Sequence, residues 1–211
     1  MKTVNKEKPK RRRTQTERRA ESDKKLLKSA VELIGQKGFS NTSLEEIGLN
    51  AGYSRGLVSH RYGSKEGLAK AMILEMSTAF KENINKPLRA EHKGVDAVIE
   101  IVSGYFMSLQ NAPAQSRALH FLELASMGSL PNLQDDIAEM SENFNQLLLA
   151  LLKEAKAYKQ IAEDLDIEAV AFNINANLRG ITLMWVTSSS QVNLNDVLQE
   201  VVTTIKKRLA V

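Results

Sequence analysis

Apolar residues recur every three or four positions along nearly the whole chain of 211 residues. In the first such segment the stripe consists of Leu27, Ala30, Val31 and Ile34, and Gly38 ends the segment. This spacing places the apolar side chains on one face of an α-helix. The chain has four prolines, and no stretch alternates polar and apolar residues for more than a few positions. The pattern therefore predicts an all-α fold of about nine helices.

Three short segments with clear boundaries follow the first helix. Ser43 and Glu46 have the spacing of a capping box, in which each side chain satisfies a free backbone N–H at the start of a helix. Ser54 and Ser64 can cap the next two helices, and Gly52 marks the turn between the first two. Two short helices joined by such a turn, with a longer helix on either side, predict a helix-turn-helix unit.

The second short helix, residues 55–62, has a core face and a face that can meet DNA. Val58 and Tyr62 share one side of the helix, and Gly56 and His60 share the other. A glycine in an exposed helix costs about 1 kcal/mol relative to alanine. Close approach of a phosphate backbone would explain this glycine, and so would a solvated face with a permissive residue. The other side chains could donate hydrogen bonds to base edges or phosphates (Arg55, Ser59, His60 and Arg61) or touch a thymine methyl group (Leu57).

Lys65 stands in the first turn of the following helix, where the helix dipole disfavours a cation. An anion bound at the free N–H groups of that helix end would offset the cost. Glu66 offsets part of it within the chain. Lys65 therefore favours a DNA-binding interpretation of this region over a solvated face.

Charge also divides the chain. Residues 1–70 hold 17 Lys and Arg against 8 Asp and Glu, whereas residues 71–211 hold 12 against 17. A basic part of this kind is expected to meet a polyanion, although a solvated basic tail would give the same composition. We expect a disordered basic arm at residues 1–15, a helix-turn-helix domain at 16–83 and a helical bundle at 84–211.

The stretch LLKSAVELIGQKGFSNTSLEEIGLNAGYSRGLVSHRYGSKEGLAKAM resembles the DNA-binding domain of the TetR family of one-component bacterial transcriptional regulators. The features that carry the resemblance stand in the order and spacing of the family. They are Gly38-Phe39, Thr42-Ser43, Ala51-Gly52 and the segment from Tyr62 to Leu68.

Three residues of the recognition helix, residues 55–62, and one residue before it depart from the family pattern. Ser59 stands where Tyr is usual, Leu57 where Thr is common and Arg61 where His or Tyr is frequent. In the preceding helix, Gly48 replaces a usual Ala. These departures affect the operator sequence more than the ability to bind DNA. The resemblance, with the arguments above, gives the expected DNA contacts as Thr42, Ser43, Ser54, Arg55, Gly56, Leu57, Ser59, His60, Arg61, Tyr62 and Lys65, with Arg11, Arg12 and Arg13 of the arm reaching the adjacent groove or phosphates.

For residues 84–211 the resemblance implies a helical bundle with a ligand pocket in its middle helices. It also implies a homodimer formed through the last two helices, which would bind a palindromic double-stranded operator as a repressor released by a small molecule. A non-specific basic nucleic-acid-binding or nucleoid-associated protein is the alternative. The candidate ligand contacts, each of which could equally belong to a core or an interface, are Tyr105, Phe106, His120, Phe121, Phe144, Asn173, Asn177 and Trp185.

The sequence gives little support for catalysis or metal binding. Cysteine is absent, and His60, His92 and His120 lie in separate segments without the spacing of a metal site. No Gly-rich phosphate loop and no nucleophile elbow occurs. We therefore expect no enzyme activity, no cofactor and no metal. The longest aliphatic run, residues 147–152, is far shorter than the ~20 residues that span a bilayer, so we expect a cytoplasmic protein with no membrane partner.

Overall fold

The computed structural model describes residues 14–187 and 192–210, and every regular element in them is helical. A π-helical turn, Lys81–Asn85, continues the fourth α-helix into the fifth without a break, so the described residues form nine helical rods. The predicted all-α architecture is confirmed. The α-helices are α1 (Gln15–Lys37), α2 (Leu44–Asn50), α3 (Arg55–Tyr62), α4 (Lys65–Phe80), α5 (Lys86–Glu91), α6 (Gly94–Asn111), α7 (Pro113–Ser126), α8 (Gln134–Ala157), α9 (Ile167–Thr187) and α10 (Leu194–Leu209).

Local capping explains where the first helices begin. The Glu46 N–H donates to Ser43 Oγ over 3.2 Å and the Ser43 N–H donates to Glu46 Oε2 over 2.9 Å, which confirms the predicted capping box. A second capping box, between Thr14 and Glu17, starts α1 at Gln15. The helix therefore begins at the last residue of the expected arm, residues 1–15, and this domain boundary stays a prediction.

Two hydrophobic cores hold the described residues together. The first core is centred on α1 to α4 but also takes Ala118 and Leu122 from α7, together with Leu133 and Ile137 at the start of α8. The second core is built from α6, the later turns of α8, α9 and α10. The helix-turn-helix unit is therefore seated on α7 and not joined to the rest of the protein by α4 alone.

The contact between α1 and α7 is close enough to require a glycine. A Cβ atom at Gly35 would lie 2.4 Å from the carbonyl oxygen of Ala114, so the two backbones touch at this point. Any larger residue at position 35 would push α7 away from α1. No helix among the described residues is both long and apolar enough to cross a membrane.

Candidate DNA-binding surface and effector region

The turn between α2 and α3 is compact because two glycines permit it. Gly52 has a φ of +79°, a conformation that side-chain-bearing residues rarely adopt. A Cβ atom at Gly48 would lie 2.9 Å from the backbone of Ser54, so α2 and the start of α3 pack backbone to backbone. Ser29 Oγ of α1 donates a hydrogen bond to the carbonyl oxygen of Ile47 over 2.8 Å and fixes α2 on α1. These contacts give the predicted helix-turn-helix geometry.

The recognition helix α3 has the two faces that its sequence predicts. Val58 is fully buried in the first core, whereas Arg55, Gly56 and His60 are exposed. Ser54 caps the helix, since its Oγ accepts a hydrogen bond from the Leu57 N–H over 3.4 Å. One side of α3 therefore offers a guanidinium group, an imidazole ring and a bare stretch of backbone to another molecule.

Gly56 is not needed for the packing of α3. A Cβ atom there would meet only Ser54 Oγ, at the ordinary contact distance of 3.7 Å. The fold therefore leaves room for alanine at this position. Nothing inside the chain requires the glycine, whereas close approach of another molecule to this backbone would.

Lys65 is better compensated within the chain than its sequence position suggests. Its Nζ lies 4.3 Å from the centroid of the Phe39 ring and donates to the carbonyl oxygen of Ser40 over 3.4 Å. Partial burial lowers the pKa of Lys65 below its usual value. The cation thus has internal partners, which weakens the argument that its position alone requires an anion. It stands in the first turn of α4, directly after the N-cap Ser64.

An exposed ion pair lies at the N-terminal end of α2. Lys37 Nζ donates to Glu46 Oε1 over 2.5 Å. This hydrogen bond, with those from Ser43, lowers the pKa of Glu46 to about 2. Ser43 is exposed, but its side chain is already engaged in the capping box.

Three of the expected DNA contacts turn inward, and the structure corrects the expectation for them. Thr42 is only 2% exposed, and its hydroxyl donates to the carbonyl oxygen of Gly38 over 2.9 Å. The Arg61 guanidinium reaches back to α1, as described below. The Tyr62 hydroxyl is buried without a hydrogen-bond partner, and burial raises the pKa of Tyr62 to about 12. A side chain whose polar atoms are used or covered inside the fold has little left to offer DNA.

Two further residues of α3 are less exposed than expected. Leu57 is half-buried and packs against the first core, and its contact with a thymine methyl group stays a prediction. Ser59 is also half-buried. Arg11, Arg12 and Arg13 lie outside the described residues.

In the second core, aromatic rings meet between α4, α6 and α8. The centroid of the Phe144 ring lies 5.5 Å from that of Phe80 and 6.0 Å from that of Tyr105. The Tyr105 hydroxyl hydrogen-bonds to Thr182 Oγ1 of α9 over 3.0 Å, and burial raises the pKa of Tyr105. Phe106 is fully buried within this core. Tyr105 and Phe144 are thus brought together, and Trp185 packs against the same core.

A charged cluster lies beside these rings, between α7 and α9. Glu123 is only 8% exposed and accepts hydrogen bonds from Arg179 and from His120, whose Nδ1 is 2.7 Å from Glu123 Oε2. Sequence reasoning missed Glu123 and Arg179. Glu123 has a signal in the sequence, since it is an acidic residue inside the apolar helical stretch FLELAS. Its partner, Arg179, is 56 positions away and has no such local signal.

The other candidate ligand contacts are scattered. The Phe121 ring packs beside Gly38 of the first core. Asn173 and Asn177 line a surface groove of about 470 Å³ between α9 and α10, together with Ala169, Val170, Ile174, Glu200, Val201, Thr204, Ile205, Arg208 and Leu209.

The outer face of α9 beside this groove is apolar and uncovered in the protomer. Phe172 is 68% exposed and Met184 is 73% exposed, and Gly180 between them has open space where its Cβ would be. Among the described residues, no group of three or more His, Asp or Glu side chains is placed to hold a metal ion.

A compact α2–turn–α3 unit with an exposed polar recognition face is a helix-turn-helix DNA-binding domain. Residues 26–72 match the family model for bacterial regulatory proteins of the TetR family. The chain is 28% identical over 165 residues to the HTH-type transcriptional regulator BetI of Vibrio campbellii, with 75% of this chain and 77% of BetI covered. It is 22% identical over 187 residues to the fatty acid metabolism regulator protein of Bacillus subtilis, with 87% and 95% covered.

Solved structures of transcriptional regulators have a similar fold. The crystal structure of the transcriptional regulator FadR from Bacillus subtilis in complex with stearoyl-CoA superposes with a TM-score of 0.73 at 18% identity, covering 88% of this chain and 98% of FadR. Residues 26–72 thus form a DNA-binding domain of the TetR family of bacterial regulatory proteins, and the chain is similar over most of its length to regulators of transcription.

Proposed function

We propose that the chain is a homodimeric repressor that binds a palindromic operator and is released by a small-molecule effector. The observation that carries the proposal is the exposed surface of α3, where Gly56 and His60 lie opposite the buried Val58 and Arg55 is exposed in the first turn. Arg55 and His60 read base edges or adjacent phosphates in the major groove, and Gly56 lets the DNA backbone approach.

Phosphate contacts flank this face and set its register on the duplex. Ser43 at the start of α2 and Lys65 in the first turn of α4 are in positions to meet the backbone on either side of α3. Arg11, Arg12 and Arg13 would add contacts in the neighbouring groove. Thr42, Arg61 and Tyr62 are left out of this contact set because their polar atoms are used or covered within the fold.

Dimerisation through α9 and α10 would cover the apolar face that the protomer leaves open. Phe172, Leu183 and Met184 are exposed on α9, and the groove beside them is wide enough to receive side chains of a partner helix. A two-fold dimer presents two copies of α3 to two half-sites about one helical turn, ~34 Å, apart, which is the geometry that reads a palindrome.

The effector region is proposed to lie where Tyr105, Phe144, Trp185 and His120 approach the Glu123–Arg179 pair. Aromatic rings with a few convergent polar groups are typical of small-molecule sites. FadR from Bacillus subtilis, which has a similar fold, binds stearoyl-CoA. An effector that favours one separation of the two α3 helices would lower DNA affinity by its differential affinity for the two states. The proposal contains no catalytic step, since the relatives are transcriptional regulators.

Selection from a random double-stranded DNA library by the purified full-length chain tests the proposal. We expect an inverted repeat to be enriched, with affinity at least ~10³-fold above that for random DNA. Enrichment of no sequence, with binding that depends steeply on salt alone, would instead identify a non-specific nucleic-acid-binding protein. His60→Ala and Arg55→Ala should lose the specific complex and keep the dimer, and Arg89→Ala on α5 is the matched control.

A further inference from the structure

Arg61, in the last turn of the recognition helix, is bound to α1 and not presented to the surface. Its side chain is 14% exposed, and its Nε lies 3.4 Å from Asp23 Oδ1. Its Nη2 donates a hydrogen bond to Ser22 Oγ over 3.2 Å. One guanidinium group thus bridges the C-terminal end of α3 to two consecutive residues of α1.

The two charged atoms of this contact depend on each other. Arg61 Nε and Asp23 Oδ1 are both buried, and neither has a hydrogen-bond partner with good geometry. Each is therefore compensated mainly by the opposite charge 3.4 Å away. Removing Asp23 leaves a guanidinium that is 14% exposed with Ser22 as its remaining partner, whereas removing Arg61 leaves a carboxylate that is 34% exposed. The loss of Asp23 is therefore the more costly of the two. Arg19 approaches the other carboxylate oxygen of Asp23, at 3.9 Å, but is largely exposed.

The bridge adds a directional polar attachment to the apolar packing of α3. With eight residues, α3 is too short to be stable or oriented by itself. Val58 anchors it in the first core, where the partly buried Leu57 and Tyr62 also pack, and its start lies against α2. Arg61 attaches its last turn to α1, a helix of 23 residues that itself packs on α7.

We propose that Arg61 is a positioning residue for DNA recognition. Together with Asp23 and Ser22 it holds α3 at the angle at which Arg55 and His60 meet the operator, and it makes no contact with DNA itself. This inference rests on the operator binding proposed above.

The dependence of operator affinity on salt distinguishes positioning from phosphate contact. Loss of one phosphate contact lowers the slope of log K against log salt by about 1, whereas loss of positioning lowers affinity at unchanged slope. Arg61→Gln and Asp23→Asn, measured by fluorescence anisotropy on the selected operator, should each weaken binding about tenfold or more with the wild-type slope. The double variant should be no weaker than the weaker single variant. Lys65→Gln, at a proposed phosphate contact, is the comparison that should reduce the slope.

The sign of the Asp23→Asn effect is the sharpest readout. Removing a negative charge near DNA should tighten binding by electrostatics alone, and it would free Arg61 if Arg61 were a DNA contact. Unchanged or tighter binding by Asp23→Asn, or a reduced salt slope in Arg61→Gln, would overturn the inference.

Milder variants keep the test valid if Arg61→Gln or Asp23→Asn fails to fold. Ser22→Ala removes one acceptor and should weaken binding a few-fold, and Arg61→Lys should bind with an affinity between wild type and Arg61→Gln. Wild-type affinity in both would also refute the positioning role. Melting temperature and dimer mass are measured on the same samples. A wild-type chain that selects no operator would contradict the proposed function and leave no operator complex for Arg61 to position.

Discussion

Replacing Gly56 by alanine separates what this position contributes to folding from what it contributes to DNA binding. A Cβ atom at Gly56 has 3.7 Å to its one neighbour, Ser54 Oγ, and the backbone is helical and exposed. Alanine should therefore stabilise the protein by about 0.5–1 kcal/mol through its lower conformational entropy in the unfolded chain. The same methyl group projects about 1.5 Å from the backbone on the face proposed to meet DNA.

A phosphate oxygen in contact with this backbone would have to withdraw by a similar distance. Loss of one direct hydrogen bond is worth about 1 kcal/mol or slightly more, so operator affinity should fall about tenfold. Urea unfolding measures the change in stability, and fluorescence anisotropy measures the change in operator affinity. Gly67→Ala is the contrasting variant, because its Cβ would lie 2.1 Å from the Tyr62 carbonyl oxygen and should destabilise the start of α4. Unchanged operator affinity in Gly56→Ala would refute close approach of DNA at this position, and reduced stability would refute the packing argument.

Three further outcomes are expected. Tyr62→Phe should keep operator affinity and stability, since the hydroxyl it removes is buried without a partner; an affinity loss above threefold in anisotropy would restore Tyr62 as a DNA contact. The pKa of Glu46 is lowered to about 2 by Lys37, so its contribution to stability is complete above pH 4.5 and is lost as the pH falls towards 2. Thermal melts of Glu46→Gln should lack that part of the acid dependence, and an unchanged profile would contradict it. Phe172→Glu should give monomers in sedimentation, whereas Leu74→Glu, equally exposed on α4, should stay dimeric; a dimeric Phe172→Glu would exclude this face of α9.

Boundaries set by neighbouring residues could be predicted from the sequence. Ser43, Ser54 and Ser64 each cap a helix through a backbone N–H three positions away, so their signal is complete within a single turn. Val58 was placed in the core by helical periodicity alone. Such signals need no knowledge of what packs against the helix.

The orientation of polar side chains could not be predicted in this way. A helical wheel puts Arg61 beside the exposed face of α3, but its counter-charge, Asp23, is 38 positions earlier in the chain. The inward orientation of the Glu123 side chain likewise depends on Arg179, which lies on another helix. Whether a charge turns inward depends on a partner that only the tertiary fold brings near, because an unpaired charge inside a protein is too costly to persist. Helical position alone therefore assigns Arg61 to the candidate DNA surface, whereas its distant partner turns it inward.

The position of α7 shows how the two ends of such a regulator can share one conformational equilibrium. Ala118 and Leu122 belong to the core on which α3 is seated, and the next residue, Glu123, is bound to Arg179 of α9. A shift of α9 relative to α7 must therefore either break a nearly buried ion pair or carry α7 along, and with it the α1 backbone that touches α7 at Gly35. Because packed cores have few intermediate arrangements, we expect a small displacement near Tyr105 and Thr182 to be carried through α7 into the placement of the helix-turn-helix unit.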